Sequence, residues 1–285
     1  MFYADDLQMY LYTLESSDSV MRLQDCTHDV KVWTTTNGLL LNDAKTEIIH
    51  FSSRFVNDLD RLTSFSVGTC DVATSSEARN LGVVMDQHLT LTTHVNNICR
   101  SACLAIAKIG QIRKYIDQPT AERLVHAFVT SRLDANNSLL YGLPAKDIAK
   151  LQRVQNCAVR LVTLDKTYTN IDAVRRDKLH WLPIRDRIIF KILLLTFKAM
   201  NNLAPQYISD LLVKYTPCRT LRSSSGNFLV IPSNREVSTA YYGDRAFSSS
   251  APTLWNKLPR KIRNATSVDE FKTLLKTHLF KKPSN

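Results

Sequence analysis

Glycine is scarce in this 285-residue chain, with seven residues at positions 38, 68, 82, 110, 142, 226 and 243. The nearest pair, Gly68 and Gly82, is fourteen residues apart. Neither a G-x-G-x-x-G fingerprint nor a P-loop can therefore be written, which excludes nucleotide binding through a glycine loop. Long apolar runs are missing too. The longest, Ile188 to Phe197, is interrupted by Lys191 and falls well short of the ~18 residues that a membrane span requires. No membrane partner is expected. The six cysteines include no C-x-x-C and one close pair, Cys99 and Cys103, which argues against a disulfide framework or a zinc ribbon. The opening MFYADDLQMY has no basic n-region, so no signal or transit peptide is expected there. Together these absences predict an intracellular protein of the nucleus or cytoplasm, not secreted, with reduced thiols.

What is present is an ordinary globular balance, 44% hydrophobic and 22% charged, which rules out disorder and collagen. The net charge of +11 is unevenly placed. Residues 1–98 carry 6 basic against 13 acidic residues, net −7, and residues 99–285 carry 31 against 13, net +18. A basic body on an acidic head predicts a polyanion partner for the body and carboxylates free to meet cations in the head. The plainer reading is a set of solvated helix faces.

Along the chain, Phe2-Tyr3-Ala4 and Met9 to Tyr12 flank Asp5-Asp6 and read as a β-hairpin. Val20, Leu23, Thr27, Val30 and Trp33 recur at helical spacing, and Asn37-Gly38 supplies a stop. Short strands are expected at Leu39–Leu41, Thr46–Phe51, Ser64–Val67, Val72–Thr74 and Leu81–Met85. After that the period changes. Val95, Ile98, Ala102, Ala105, Ile106, Ile109 and Ile112 share a helical face, and a second helix opens at Pro119 with Leu124, Val125, Phe128 and Val129 inside. Further helices are expected at Lys146–Leu161, Ile184–Met200, Pro205–Lys214 and Val268–Phe280, with residues 216–250 as loop and some strand. The fold class is α+β, with an α+β part at 1–90, a helical region at 91–165 and an α-rich region at 166–285.

Two adjacent carboxylates at a hairpin tip repel each other, and a hard divalent cation offsets that repulsion. Asp5-Asp6 alone reads more readily as a solvated turn, but its neighbours add to it. Tyr3-Ala4-Asp5-Asp6, then a helix, then Trp33-x3-Asn37-Gly38-Leu39-x-Leu41-Asn42-x2-Lys45-Thr46-Glu47, then Leu81-Gly82-Val83-x2-Asp86-x7-His94, together resemble the palm of a reverse transcriptase from a non-LTR, LINE-type, jockey-like retrotransposon. The later runs Leu179-His180-Trp181-Leu182-Pro183-Ile184-x2-Arg187 and Arg245-x-Phe247-x4-Pro252-x2-Trp255-Asn256-x-Leu258-Pro259-x2-Ile262-Arg263 look like the tail that follows the polymerase in such elements.

The resemblance implies a partial palm at 1–90 bearing the Y-A-D-D hairpin, a thumb-like helical region at 91–165 and a C-terminal tail at 166–285. It implies RNA-directed DNA polymerase chemistry with Mg²⁺ as cofactor and an RNA template and DNA primer as partners. Asp5 and Asp6 would be metal-holding and catalytic, Tyr3 would underlie the primer terminus or incoming nucleotide, and Lys45 would neutralise the pyrophosphate. The family's other metal-binding Asp and its fingers lie upstream of Y-A-D-D, so these 285 residues are expected to be inactive by themselves. The alternative is a non-catalytic, sequence-independent nucleic-acid-binding remnant. The clusters Arg175-Arg176-x-Lys178 and Arg260-Lys261-x-Arg263 are candidates for phosphate contact. Trp181 and Trp255 could stack on bases, though burial is the commoner fate. His88, His94, Cys99 and Cys103 could be a zinc set, but both cysteines fall on an apolar helical stripe and read as small hydrophobes.

Overall fold

In the computed structural model the described residues are 2–3, 6–11, 16–42, 45–52, 64–67, 70–165, 170–216, 227–233 and 240–281. They belong to two compact units, Met1–His94 and Val95–Asn285, and the chain mixes helix with a few short strands.

In the first unit Ser16–Thr36 is helical, as the spacing from Val20 to Trp33 predicts. Gly38 ends it at φ +74°, and the amides of Asn37, Gly38 and Leu39 return to the Trp33, Thr35 and Thr34 carbonyls, so the last-turn carbonyls find donors. Trp33 is 58% exposed, against the expectation that it lines the buried face. Among the described residues the strands form three antiparallel ladders: Phe2–Tyr3 with Asp6–Leu7, Ser64–Val67 with Cys70–Ala73, and Glu77–Asn80 with Val83–Asp86.

The expected opening hairpin is present with its return strand earlier than Met9–Tyr12. Phe2 pairs with Leu7 and Tyr3 with Asp6. Met9 to Leu11 carry no strand, and Tyr12 lies outside the described residues. Leu39–Leu41 is not a strand either, and Leu40 is 89% exposed with no face to bury. The Thr46–Phe51 segment contributes one parallel bridge, Ile48 to Thr74. Leu81–Met85 begins as a turn, because Leu81 and Gly82 take φ +43° and +84° between paired strands. Positive φ at both central residues is the type I′ turn, whose twist matches a two-residue hairpin.

The second unit is built of helices. Residues of Thr92–Ile112 bury Val95, Ile98, Ala102, Ala105 and Ile109, whereas Ile112 is exposed. Asp117 caps Gln118–Val125 by accepting the Thr120 amide, with Pro119 in its first turn. This helix passes through one wide, π-type turn, His126–Thr130, into Ser131–Asp134. The extra residue in that turn keeps Val125, Val129 and Leu133 buried but rotates Phe128 outward, to 51% exposure. Ala145–Thr163 follows, and its last carbonyls are capped by the buried Arg113, whose Nε and Nη2 donate to Leu161 and Val162 at 2.8 Å. A cation at a helix C-terminus also meets the negative end of the helix dipole.

Ile184–Met200 and Val268–Lys281 are helices as expected. Around them gathers a core of Leu182, Leu193, Phe197, Trp255, Ile262 and Phe271, with the Phe197 and Phe271 rings stacked at 4.3 Å. The expected helix at Pro205–Lys214 shortens to Gln206–Ser209, because the chain turns into a small ribbon in which Val230 donates to Val213 and Tyr215 to Phe228. A helix not expected from periodicity, Phe247–Asn256, carries Pro252 inside it.

Candidate functional site

The first carboxylate pair is only half visible. Asp6 sits in the ladder opposite Tyr3 and is exposed, and Asp5 lies outside the described residues. Lys45 is exposed, its amide bonded to the Asn42 carbonyl. Among the described residues no hydrogen bond or ion pair joins Lys45 to Asp6. The chain leaving the hairpin, Gln8 to Leu11, lines an open cleft of about 270 Å³ with Arg22, Leu23 and Cys26. Mg²⁺ takes six oxygens in a near-octahedral shell, with one or two carboxylates and the rest from water and substrate. Among the described residues no three His, Cys, Asp or Glu side chains gather for a metal.

Several polar residues of the motif runs are engaged within the fold. Asn37 donates its side chain to the Trp33 carbonyl at 2.8 Å, and Glu47 accepts the Arg79 amide at 3.2 Å. The Leu81–His94 run closes on itself. Asp86 accepts the amides of His88, Thr90 and Leu91 and the Thr90 hydroxyl at 2.7–3.1 Å. Burial alone would raise its carboxyl, but those donors hold it below the ordinary aspartate value. The enclosed turn includes Leu89 and Leu91 at φ +47° and +55°. His94 is buried and accepts the Val84 amide at Nδ1, 3.4 Å away, and burial lowers its pKa from the ordinary histidine value.

The C-terminal runs behave the same way. Trp181 is 5% exposed, and its indole donates to Glu122 at 3.2 Å while its ring lies 5.1 Å from that of His126. Gln155 donates to the Leu182 carbonyl and Gln152 accepts the Ile184 amide. Arg187 grips Asp134 with Nε and Nη2 in a two-pronged ion pair. Trp255 is fully buried and donates to the Asn227 carbonyl at 2.7 Å, and Asn256 clamps both backbone groups of Leu229. Neither Trp181 nor Trp255 presents a face to a base, which corrects the stacking alternative. Arg245 donates to the Tyr141 carbonyl and packs over Gly142, where an added Cβ would lie 2.5 Å from its side chain.

The two basic clusters split between surface and interior. Arg175 is 2% exposed and paired with Asp172, and Arg263 is 6% exposed. Both are closed off from a passing phosphate backbone. Lys178 is exposed and paired with Asp165 at 3.0 Å; Arg260 and Lys261 are exposed and Arg176 half-buried. Cys103 is exposed and Cys99 half-buried, so the pair lies at the edge of the helix rather than on its buried stripe, and burial pushes the Cys99 thiol up. His88 meets the Ser52 carbonyl at 3.0 Å. Sequence reasoning missed Glu122 and Asp134, which answer Trp181 and Arg187 across 59 and 53 residues; no local spacing signals such a partner.

No protein-family model, curated protein or solved structure matches the chain. No helix among the described residues is long and apolar enough to cross a membrane.

Proposed function

We propose that the chain is the C-terminal part of an RNA-directed DNA polymerase of a non-LTR retrotransposon. The observation that carries this reading is the order and spacing of three runs in the first 94 residues: Tyr3 to Asp6, Trp33 to Glu47 and Leu81 to His94. The pairing of Tyr3 with Asp6 supports it, since it brings the two ends of the Tyr3–Asp6 run side by side. On this reading Asp5 and Asp6 supply one carboxylate pair, Lys45 faces the leaving phosphates and Tyr3 lies under the primer terminus. Residues 1–285 by themselves do not complete the two-metal site, and the partners are an RNA template and a DNA primer. A second reading, a non-catalytic binder of nucleic-acid backbone, draws on the net +18 of residues 99–285 and the exposed Arg260 and Lys261.

Sequencing the transcript 5′ of the Met1 codon tests the proposal. The polymerase reading expects an in-frame region with a further strand-borne Asp and a fingers segment. Stops or frameshifts immediately upstream would refute the polymerase reading and leave the backbone-binding one.

A further inference from the structure

A surface helix normally turns its polar residues outward, and an exposed apolar side chain standing alone needs no partner. Two of the long helices depart from this in a matched way. On Ser16–Thr36 the residues four apart at Met21, Asp25, Asp29 and Trp33 are all exposed, Met21 at 60% and Trp33 at 58%. On Thr92–Ile112 the residues four apart at Arg100, Leu104, Lys108 and Ile112 are all exposed, Leu104 at 58% and Ile112 at 45%. Residues four apart form a ridge along one side of a helix, and a rise of ~1.5 Å per residue makes each ridge about 18 Å long.

The charges on the two ridges are opposite and unanswered. Residues 87–116 contain no Asp or Glu, and among the described residues the side chains of Arg100 and Lys108 enter no ion pair or hydrogen bond. The same holds for Asp25 and Asp29. Arg22 lines the cleft with Gln8 to Leu11 and Lys31 is half-buried, so neither belongs to the acidic ridge. Laid antiparallel, the ridges match position by position. Met21 falls opposite Ile112, Asp25 opposite Lys108, and Trp33 opposite Arg100, where an indole face suits a guanidinium. Asp29 falls opposite Leu104, with Lys108 and Arg100 one turn to either side. A nucleic-acid backbone would meet Arg100 and Lys108 but would leave Leu104 and Ile112 uncovered and make no use of the acidic ridge.

We propose that the two ridges are the two sides of a contact between copies of this chain, the Met21–Trp33 ridge of one copy seated on the Arg100–Ile112 ridge of another. The apolar ends anchor the contact, and the charges between them set its register and reject a wrong partner. Every copy carries both ridges, so a pair of copies can use the contact twice. The inference does not rest on the polymerase reading, since it follows from exposure and charge alone.

The test is sedimentation velocity of the full chain across the micromolar range, in low and in high salt. Wild type is expected to associate as its concentration rises and to dissociate as salt screens the charges. Asp25→Lys with Asp29→Lys, and separately Arg100→Glu with Lys108→Glu, set like charges against one another, and each double variant should weaken association at least about 100-fold. An equimolar mixture of the two double variants again sets a basic ridge against an acidic one in both directions, and it should recover association to within about threefold of wild type. A wild-type chain that stays monomeric at every concentration, reversed variants that associate as well as wild type, or a mixture that stays monomeric overturns the inference. A monomeric wild type that instead binds a labelled oligonucleotide through Arg100 and Lys108 assigns the basic ridge to nucleic acid and overturns it too. If either double variant fails to fold, Leu104→Gln replaces it, and association unchanged by Leu104→Gln overturns the contact.

Discussion

Replacing Asp86 by alanine tests how the Leu81–His94 run is held. Asp86 receives four hydrogen bonds, from three backbone amides and the Thr90 hydroxyl. The turn it closes places Leu89 and Leu91 in the left-handed region, where a side chain costs roughly 1–2 kcal/mol per residue. At about 1 kcal/mol net for each bond to the carboxylate, Asp86→Ala should destabilise the first unit by about 3–4 kcal/mol. Asp86→Asn keeps one acceptor oxygen and should lose about half of that. Urea unfolding followed by amide hydrogen exchange reads the effect directly, because the Thr90 and Leu91 amides should lose their protection first. The carboxyl titrates below its ordinary value of 3.8, so its contribution is complete above that pH and fades as pH falls through the lower folded value. A loss under about 1 kcal/mol, smaller than a single such bond, with Thr90 and Leu91 still protected, would refute the reasoning.

Leu81→Asn should stabilise the 77–86 hairpin by about 1 kcal/mol, because asparagine tolerates the positive φ that Leu81 adopts; an unchanged or lower melting temperature would contradict this. Burial depresses the His94 pKa, so the neutral form contributes stability above the unfolded value of about 6.5. As pH falls below that, the unfolded chain binds a proton that the folded one refuses, and stability should drop by up to about 1.4 kcal/mol per pH unit. His94→Gln should flatten that dependence between pH 7 and 5. Single-stranded RNA and duplex DNA should bind with little sequence preference and with a log–log salt slope of about −0.9 per phosphate contacted on the duplex. Charge reversal at Arg260 and Lys261 should flatten the slope, and reversal at Arg22 and Lys31 in the acidic head should leave it unchanged.

The long helices were legible because their apolar periodicity coincides with burial, as Val95, Ala102 and Ile109 show. Short strands were less so. Leu39–Leu41 has strand-forming composition but no partner, and Leu81 looked like strand because nothing in a leucine announces φ +43°. Phe128 was misplaced because one wide turn shifts the helical phase, which a fixed period of 3.6 cannot register. The basic clusters were visible as charge, yet charge does not reveal that Arg175 is buried against Asp172 and Arg263 is buried beside Phe228, while Lys178, Arg260 and Lys261 stay exposed. The motif runs were legible as spacing. Their physical roles were not, because the partners of Trp181, Arg187 and Trp255 lie 28 to 59 residues away.

Primer extension tests the polymerase reading most directly. The chain, expressed with the in-frame region expected upstream of Met1, is incubated with poly(rA)/oligo(dT), dTTP and Mg²⁺. The account predicts incorporation by the wild-type protein and none by Asp5→Ala, with residues 1–285 alone at background. Incorporation that is equal in wild type and Asp5→Ala, or absent from a folded wild-type protein, would contradict it.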